Sequence, residues 1–76
     1  MKNHDSELTK IGLNISYYRK KCKLTQMALA EKVGISRTYI SKIEAQNVPK
    51  SLSLETLLDI ADALEVPAAK LLDFTR

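Results

Sequence analysis

The chain has 76 residues and carries twelve Lys/Arg against nine Asp/Glu, for a formal net charge of +3. That length supports one small domain, residues 1–76, with one modest core. No run of about 18 apolar residues is present to span a membrane, no signal-peptide pattern opens the chain, and the lone Cys22 has no partner for an internal disulfide, so the expected location is the cytoplasm.

Charge is distributed unevenly. Residues 10–50 hold nine cations (Lys10, Arg19, Lys20, Lys21, Lys23, Lys32, Arg37, Lys42 and Lys50) against Glu31 and Glu44. Residues 51–76 hold Lys70 and Arg76 against Glu55, Asp59, Asp62, Glu65 and Asp73. A cationic half suits a polyanion, and the plain alternative is an unevenly charged solvated surface.

Met1–Asp5 read as a frayed tail. His4 reads as an ordinary exposed histidine, because no ligand-spaced His, Cys or carboxylate cluster stands beside it. Ser6 is placed to cap a first helix over about Glu7–Cys22. Leu8, Ile11, Ile15, Tyr18 and Cys22 step by threes and fours along one face of it. Gly12 inside that helix costs about 1 kcal/mol relative to Ala and implies a close helix contact. Arg19, Lys20, Lys21 and Lys23 at its end favour the helix dipole and would also attract phosphate. Leu24 is expected to enter the core, and Cys22 to be a core or boundary residue.

Thr25 is an N-cap residue for a second helix, with Gln26 at its start and Ala28 and Leu29 forming a small apolar face. Val33-Gly34-Ile35 is a turn in which Gly34 supplies positive φ and Ile35 points inward. Ser36 caps a third helix running to Glu44. Ile40 and Ile43 share its buried back, which leaves Arg37, Thr38, Ser41 and Lys42 for a cationic, hydrogen-bonding front. Two short helices joined by a tight Gly-containing turn make a helix-turn-helix.

Pro49 prevents further helix in the segment that follows. Ser53 caps a fourth helix with Glu55 in its first turn. Its apolar face is read as Leu54, Leu57, Leu58, Ala61 and Leu64, with Asp59, Asp62 and Glu65 outside. Pro67 fits the first position of a short fifth helix, Ala68–Asp73. Leu71, Leu72 and Phe74 crowd three large apolar groups into four residues, of which some close the core and the remainder stand free.

The stretch LTQMALAEKVGISRTYISKIE, residues 24–44, resembles the helix-turn-helix of the Cro/repressor, or XRE-type, family. The Thr-Gln start, the Ala pair, the Val-Gly-Ile turn and the Ile-x-x-Ile-Glu end carry the resemblance, which extends over about residues 8–73. It implies an all-α fold, a five-helix lambda-repressor-like bundle that binds double-stranded DNA as a homodimer. It also implies a structural ion pair between Arg19 and Glu44, a phosphate contact from Gln26, and backbone contacts near Asn47 and Lys50. The family's glycine near Gln46 is absent, so the third helix is expected to run a residue longer or to end through Asn47.

In a major groove, a helix entering by its N-terminal end brings Arg37, Thr38, Ser41 and Lys42 towards base edges, with Arg37 suited to guanine O6 and N7. Ser36 would add a backbone contact, and Tyr39 would either pack on the sugar-phosphate edge or serve as a partly buried aromatic. Val66, Leu71, Leu72 and Phe74 form the expected pairing surface, with membership of the monomer core as the alternative. Metal-ligand spacing, Gly-rich phosphate loops and nucleophile-base pairs are all missing, so neither an enzyme nor a cofactor or small-molecule site is expected. Such a chain would act as a repressor of the phage or restriction-controller kind. The other class is a protein-interaction module, such as an antitoxin whose chief partner is another protein.

Overall fold

A computed structural model describes residues 4–46, 48 and 51–75. It contains α1 (Asp5–Lys21), α2 (Gln26–Val33), α3 (Arg37–Glu44), α4 (Leu54–Leu64) and α5 (Ala68–Leu71), with no strand among the described residues. The all-α, five-helix architecture expected from the sequence is the one observed. All five helices pack around one core built from Ile11, Ile15, Leu29, Ala30, Ile40, Ile43, Leu57, Ile60, Ala61, Leu64 and Leu71. Leu8, Tyr18, Leu24, Val33, Ile35, Tyr39 and Leu52 are packed against it.

The internal N-caps follow from local chemistry. Thr25 accepts from Ala28 N–H, Ser36 from Tyr39 N–H and Ser53 from Thr56 N–H, each with its own backbone extended. At the first helix the structure differs. α1 begins at Asp5, Ser6 lies inside it, and His4 holds the N-cap position without a side-chain bond. Expected tail residues 1–3 lie outside the described residues.

Three helices end in a left-handed residue, and only one of those is glycine. Gly34 has φ 86°, and the N–H groups of Gly34 and Ile35 both reach Ala30 O. Lys23 has φ 59° and lets Leu24 N–H return to Arg19 O at the end of α1. Glu65 has φ 58° and lets Val66 N–H return to Ala61 O at the end of α4. The last two are Schellman closures whose side chains bear a cost of about 1 kcal/mol for a conformation natural to glycine.

Two expected faces shift. In α2 the buried pair is Leu29 and Ala30, with Ala28 half-buried. In α4 the buried residues are Leu57, Ile60, Ala61 and Leu64, whereas Leu54 and Leu58 are exposed at 68% and 45%. The apolar arc of α4 is wider than the surface that α1, α2 and α5 cover; Leu57 and Leu64 lie at the centre of the covered side and Ile60 at its edge away from Leu58. Cys22 is exposed at the edge of the core, where its Sγ approaches Leu64 O at 3.6 Å. Pro67 sits one position earlier than expected, as the extended N-cap of α5, which stops at Leu71.

Gly12 marks the crossing of α1 and α3. A β-carbon there would overlap the carbonyl oxygen of Ile43, so only glycine admits this approach. Two residues on, and on the other side of α1, the buried Asn14 donates from Nδ2 to Leu71 O and to Asp73 O, each at 3.0 Å. That clamp fixes α5 and the chain after it. Nothing in the sequence periodicity singles out Asn14, since an isolated amide beside an apolar stripe reads as surface.

Candidate nucleic-acid interface

The back of α3 is sealed by Ile40 and Ile43, at 0% and 1% exposure. This forces the intervening positions outward. Arg37, Thr38 and Lys42 are exposed, and Ser41 is half-buried on the flank. Ser36 Oγ is occupied as the helix cap. Tyr39 is half-buried, with its hydroxyl donating to Ser51 O at 3.0 Å, so it ties α3 to the segment before α4. A phosphate would reach that hydroxyl proton only by displacing Ser51.

Behind this front runs a chain of hydrogen bonds from the core to the surface. Arg19 donates from Nε to Glu44 Oε2 at 2.8 Å and from Nη2 to Glu44 Oε1 at 3.0 Å. Its Nη1 donates to Leu24 O at 2.7 Å. Glu44 Oε1 also accepts from Gln26 Nε2 at 3.1 Å, and Gln26 Oε1 in turn accepts from Arg37 Nη1 at 3.2 Å. The expected ion pair between Arg19 and Glu44 is therefore present and largely buried. It does more than brace α1 against α3, because through Gln26 it also orients the exposed guanidinium of Arg37. One hydrogen of the Gln26 amide remains for an outside acceptor.

The two remaining expected backbone contacts, Asn47 and Lys50, lie outside the described residues. α3 itself ends at Glu44 rather than running longer, and Ala45 takes an extended backbone with ψ 146°. Of the expected pairing residues, Leu71 is fully buried in the core, which removes it from any surface. Val66 is half-buried against the same core, whereas Leu72 and Phe74 are exposed at 46% and 36%. The reason is geometric: α5 is barely one turn long, and Asn14 turns its Leu71 end into the core. Among the described residues no helix is long and apolar enough to cross a membrane.

A five-helix bundle presenting a short polar helix after a Gly-closed turn defines a helix-turn-helix protein. A family profile described as helix-turn-helix matches residues 15–71. The chain belongs to the XRE-type helix-turn-helix family. It is 45% identical over 56 residues to the immunity repressor protein of Bacillus phage phi105, covering 74% of this chain and 38% of that protein. It is 39% identical over 59 residues to control protein C.SmaI of Serratia marcescens, covering 78% of this chain and 68% of that protein. It spans 56% of the length of the regulator SinR of Bacillus subtilis. Among solved structures, the restriction-modification controller C.AhdI from Aeromonas hydrophila superposes with a TM-score of 0.80 at 29% identity, covering 87% of this chain and 97% of that one. SinR solved in complex with DNA superposes at 0.76 with 36% identity, covering 83% and 98%.

Proposed function

We propose that the chain is a sequence-specific double-stranded DNA-binding regulator of transcription, a repressor that occupies a palindromic operator as a homodimer. The observation that carries this reading is the front of α3: Arg37, Thr38 and Lys42 exposed on a helix whose back is buried and whose first side chain is oriented by Gln26. Relatives named as an immunity repressor and a control protein, and the DNA held by SinR, support it.

In this reading α3 enters the major groove by its N-terminal end. Arg37 donates to guanine O6 and N7, Thr38 meets an acceptor or a thymine methyl, and Ser41 and Lys42 read the next pair. Gln26 and Ser36 fix register on the phosphates, joined by Asn47 and Lys50, and Tyr39 packs on the sugar-phosphate edge through its ring while its hydroxyl stays on Ser51 O. One helix reads only about 4–6 base pairs, too few to select a site in a genome, so two copies related by a two-fold axis read half-sites about one helical turn apart. Leu72, Phe74 and the exposed part of Val66 supply the contact. Occupancy of a promoter is sufficient for repression.

The test is selection from a random duplex pool at two salt concentrations. Enrichment of a palindrome that persists at the higher salt supports the proposal. Unselective binding that disappears with salt leaves only phosphate attraction and favours the antitoxin-like reading, in which the chief partner is another protein.

A further inference from the structure

Two exposed faces remain outside both the core and the α3 front. The first lies on α1. Leu13 and Tyr17, each 44% exposed, share a helical stripe with Lys10, Lys20 and Lys21. Lys10, Leu13 and Tyr17, together with Asn14, Asp73 and Phe74, line a groove of about 340 Å³, and Lys20 and Lys21 stand beyond it on the same stripe of α1. Lys10 Nζ stands 5.6 Å from the Phe74 ring centre and Lys21 Nζ 5.9 Å from that of Tyr17, so the aromatic floor is rimmed by cations. The groove's own carboxylate, Asp73, accepts from Thr75 N–H and from Thr75 Oγ through the same oxygen.

The second face lies on α4. Leu54 and Leu58 are exposed one turn apart. Glu55, Asp59 and Asp62 continue the same side of the helix, all of them exposed. This is an apolar stripe bordered by acids, the complement of an apolar groove bordered by lysines. Both belong to the same chain, and neither is covered by the described residues.

The geometry points to a self-association contact in which α4 of a second copy lies in the α1 groove. Leu54 and Leu58 of one copy rest on Leu13 and Tyr17 of the other, Glu55, Asp59 and Asp62 face Lys10, Lys20 and Lys21, and Phe74 is left to the operator pair. The contact uses neither the α3 front nor Leu72. It would join copies beyond the pair that reads one operator, either reciprocally or head to tail. Its partner and chemistry do not depend on the DNA reading.

The experiment is sedimentation equilibrium of the full chain, from micromolar to millimolar concentration, at low and high salt. Four proteins are compared: the parent, K10E/K21E, E55K/D59K and L72D, with circular dichroism establishing that each is folded. All five altered side chains are exposed, so the fold is expected to survive. The proposal expects an association step in the parent that weakens with salt, about tenfold weaker association in each charge-reversed variant, and recovery when the two are mixed. Recovery is the decisive result, because only a contact between α1 of one copy and α4 of another restores opposite charges. Charge-reversed variants that associate like the parent, or that fail to recover on mixing, overturn the proposal. If L72D alone loses association, pairing through the C-terminal end stands and the α1–α4 contact falls. If no protein associates at all, on or off DNA, both fall.

Discussion

Arg19 and Glu44 meet through a two-pronged contact, Nε to Oε2 at 2.8 Å and Nη2 to Oε1 at 3.0 Å, with side-chain exposures of only 10% and 7%. The pair joins the last turn of α1 to the C-terminal residue of α3. Removing either partner leaves a charge with no counter-ion in a site that water barely reaches. Arg19→Ala or Glu44→Ala should each cost about 3 kcal/mol in urea unfolding. The double variant Arg19→Met/Glu44→Leu should recover much of that loss, since neither charge then remains buried. If Arg19→Ala left the unfolding midpoint unchanged but weakened DNA binding, the residue would belong to the interface instead.

Gly12 and Gly34 should respond differently to the same substitution. At Gly12, alanine improves helix propensity but drives its β-carbon into Ile43 O, so the crossing of α1 and α3 must open. The expected loss is about 2 kcal/mol. At Gly34 nothing lies within 4 Å of an added β-carbon, so the loss is only the left-handed strain, about 1 kcal/mol. Thermal melts of the two variants should fall in that order.

Glu65 offers the opposite change. It is exposed, and its φ of 58° suits glycine. Glu65→Gly should raise stability by about 0.5–1 kcal/mol, even though glycine is usually a destabilising choice. A melting temperature at or below that of the parent would show that the closure of α4 depends on the side chain.

Asn14 holds two carbonyls, those of Leu71 and Asp73. Asn14→Ala strands both, and about 2 kcal/mol is the expected cost. The effect should be local as well as global. Amide exchange at residues 71–75 should accelerate more than exchange in α2 and α3. Uniform acceleration would place the role of Asn14 in the core as a whole.

Arg37 and Lys42 should separate reading from attraction. Arg37→Ala is expected to cost about 1–3 kcal/mol on the selected duplex and to relax one position in each half-site. Gln26→Ala should relax the same position in part, because it releases the Arg37 guanidinium while retaining its charge. A Lys42 that touches only phosphate would instead weaken all duplexes alike and shorten the salt slope by about one. Binding titrations on matched and single-mismatch duplexes distinguish the two.

Caps and turns were legible because their cause lies within four residues. Thr25, Ser36 and Ser53 find their acceptor role in the next turn of chain, and Gly34 is free to take positive φ wherever it stands. The buried back of α3 was legible for a similar reason, since Ile40 and Ile43 share one side and are the only aliphatic residues of the helix. The exposed Arg37, Thr38 and Lys42 follow from it.

Tertiary structure decided what depends on neighbours distant in the chain. Periodicity gave α4 an apolar face of Leu54, Leu57, Leu58, Ala61 and Leu64, but packing left Leu54 and Leu58 outside and buried Ile60, which that face had omitted. Leu71 went inward and Leu72 outward because Asn14, 57 residues away, grips the Leu71 carbonyl. The positive φ of Lys23 and Glu65 is imposed by where the next segment must go, not by residue type. The sequence by itself determined the five helices, the caps at Thr25, Ser36 and Ser53, the Gly34 turn and the polar front of α3, because local hydrogen bonding and helical period act within a turn. Which apolar edges are buried, and what orients Arg37, arose only when α1, α2 and α3 met, because a side chain's environment is made by the surfaces folded against it.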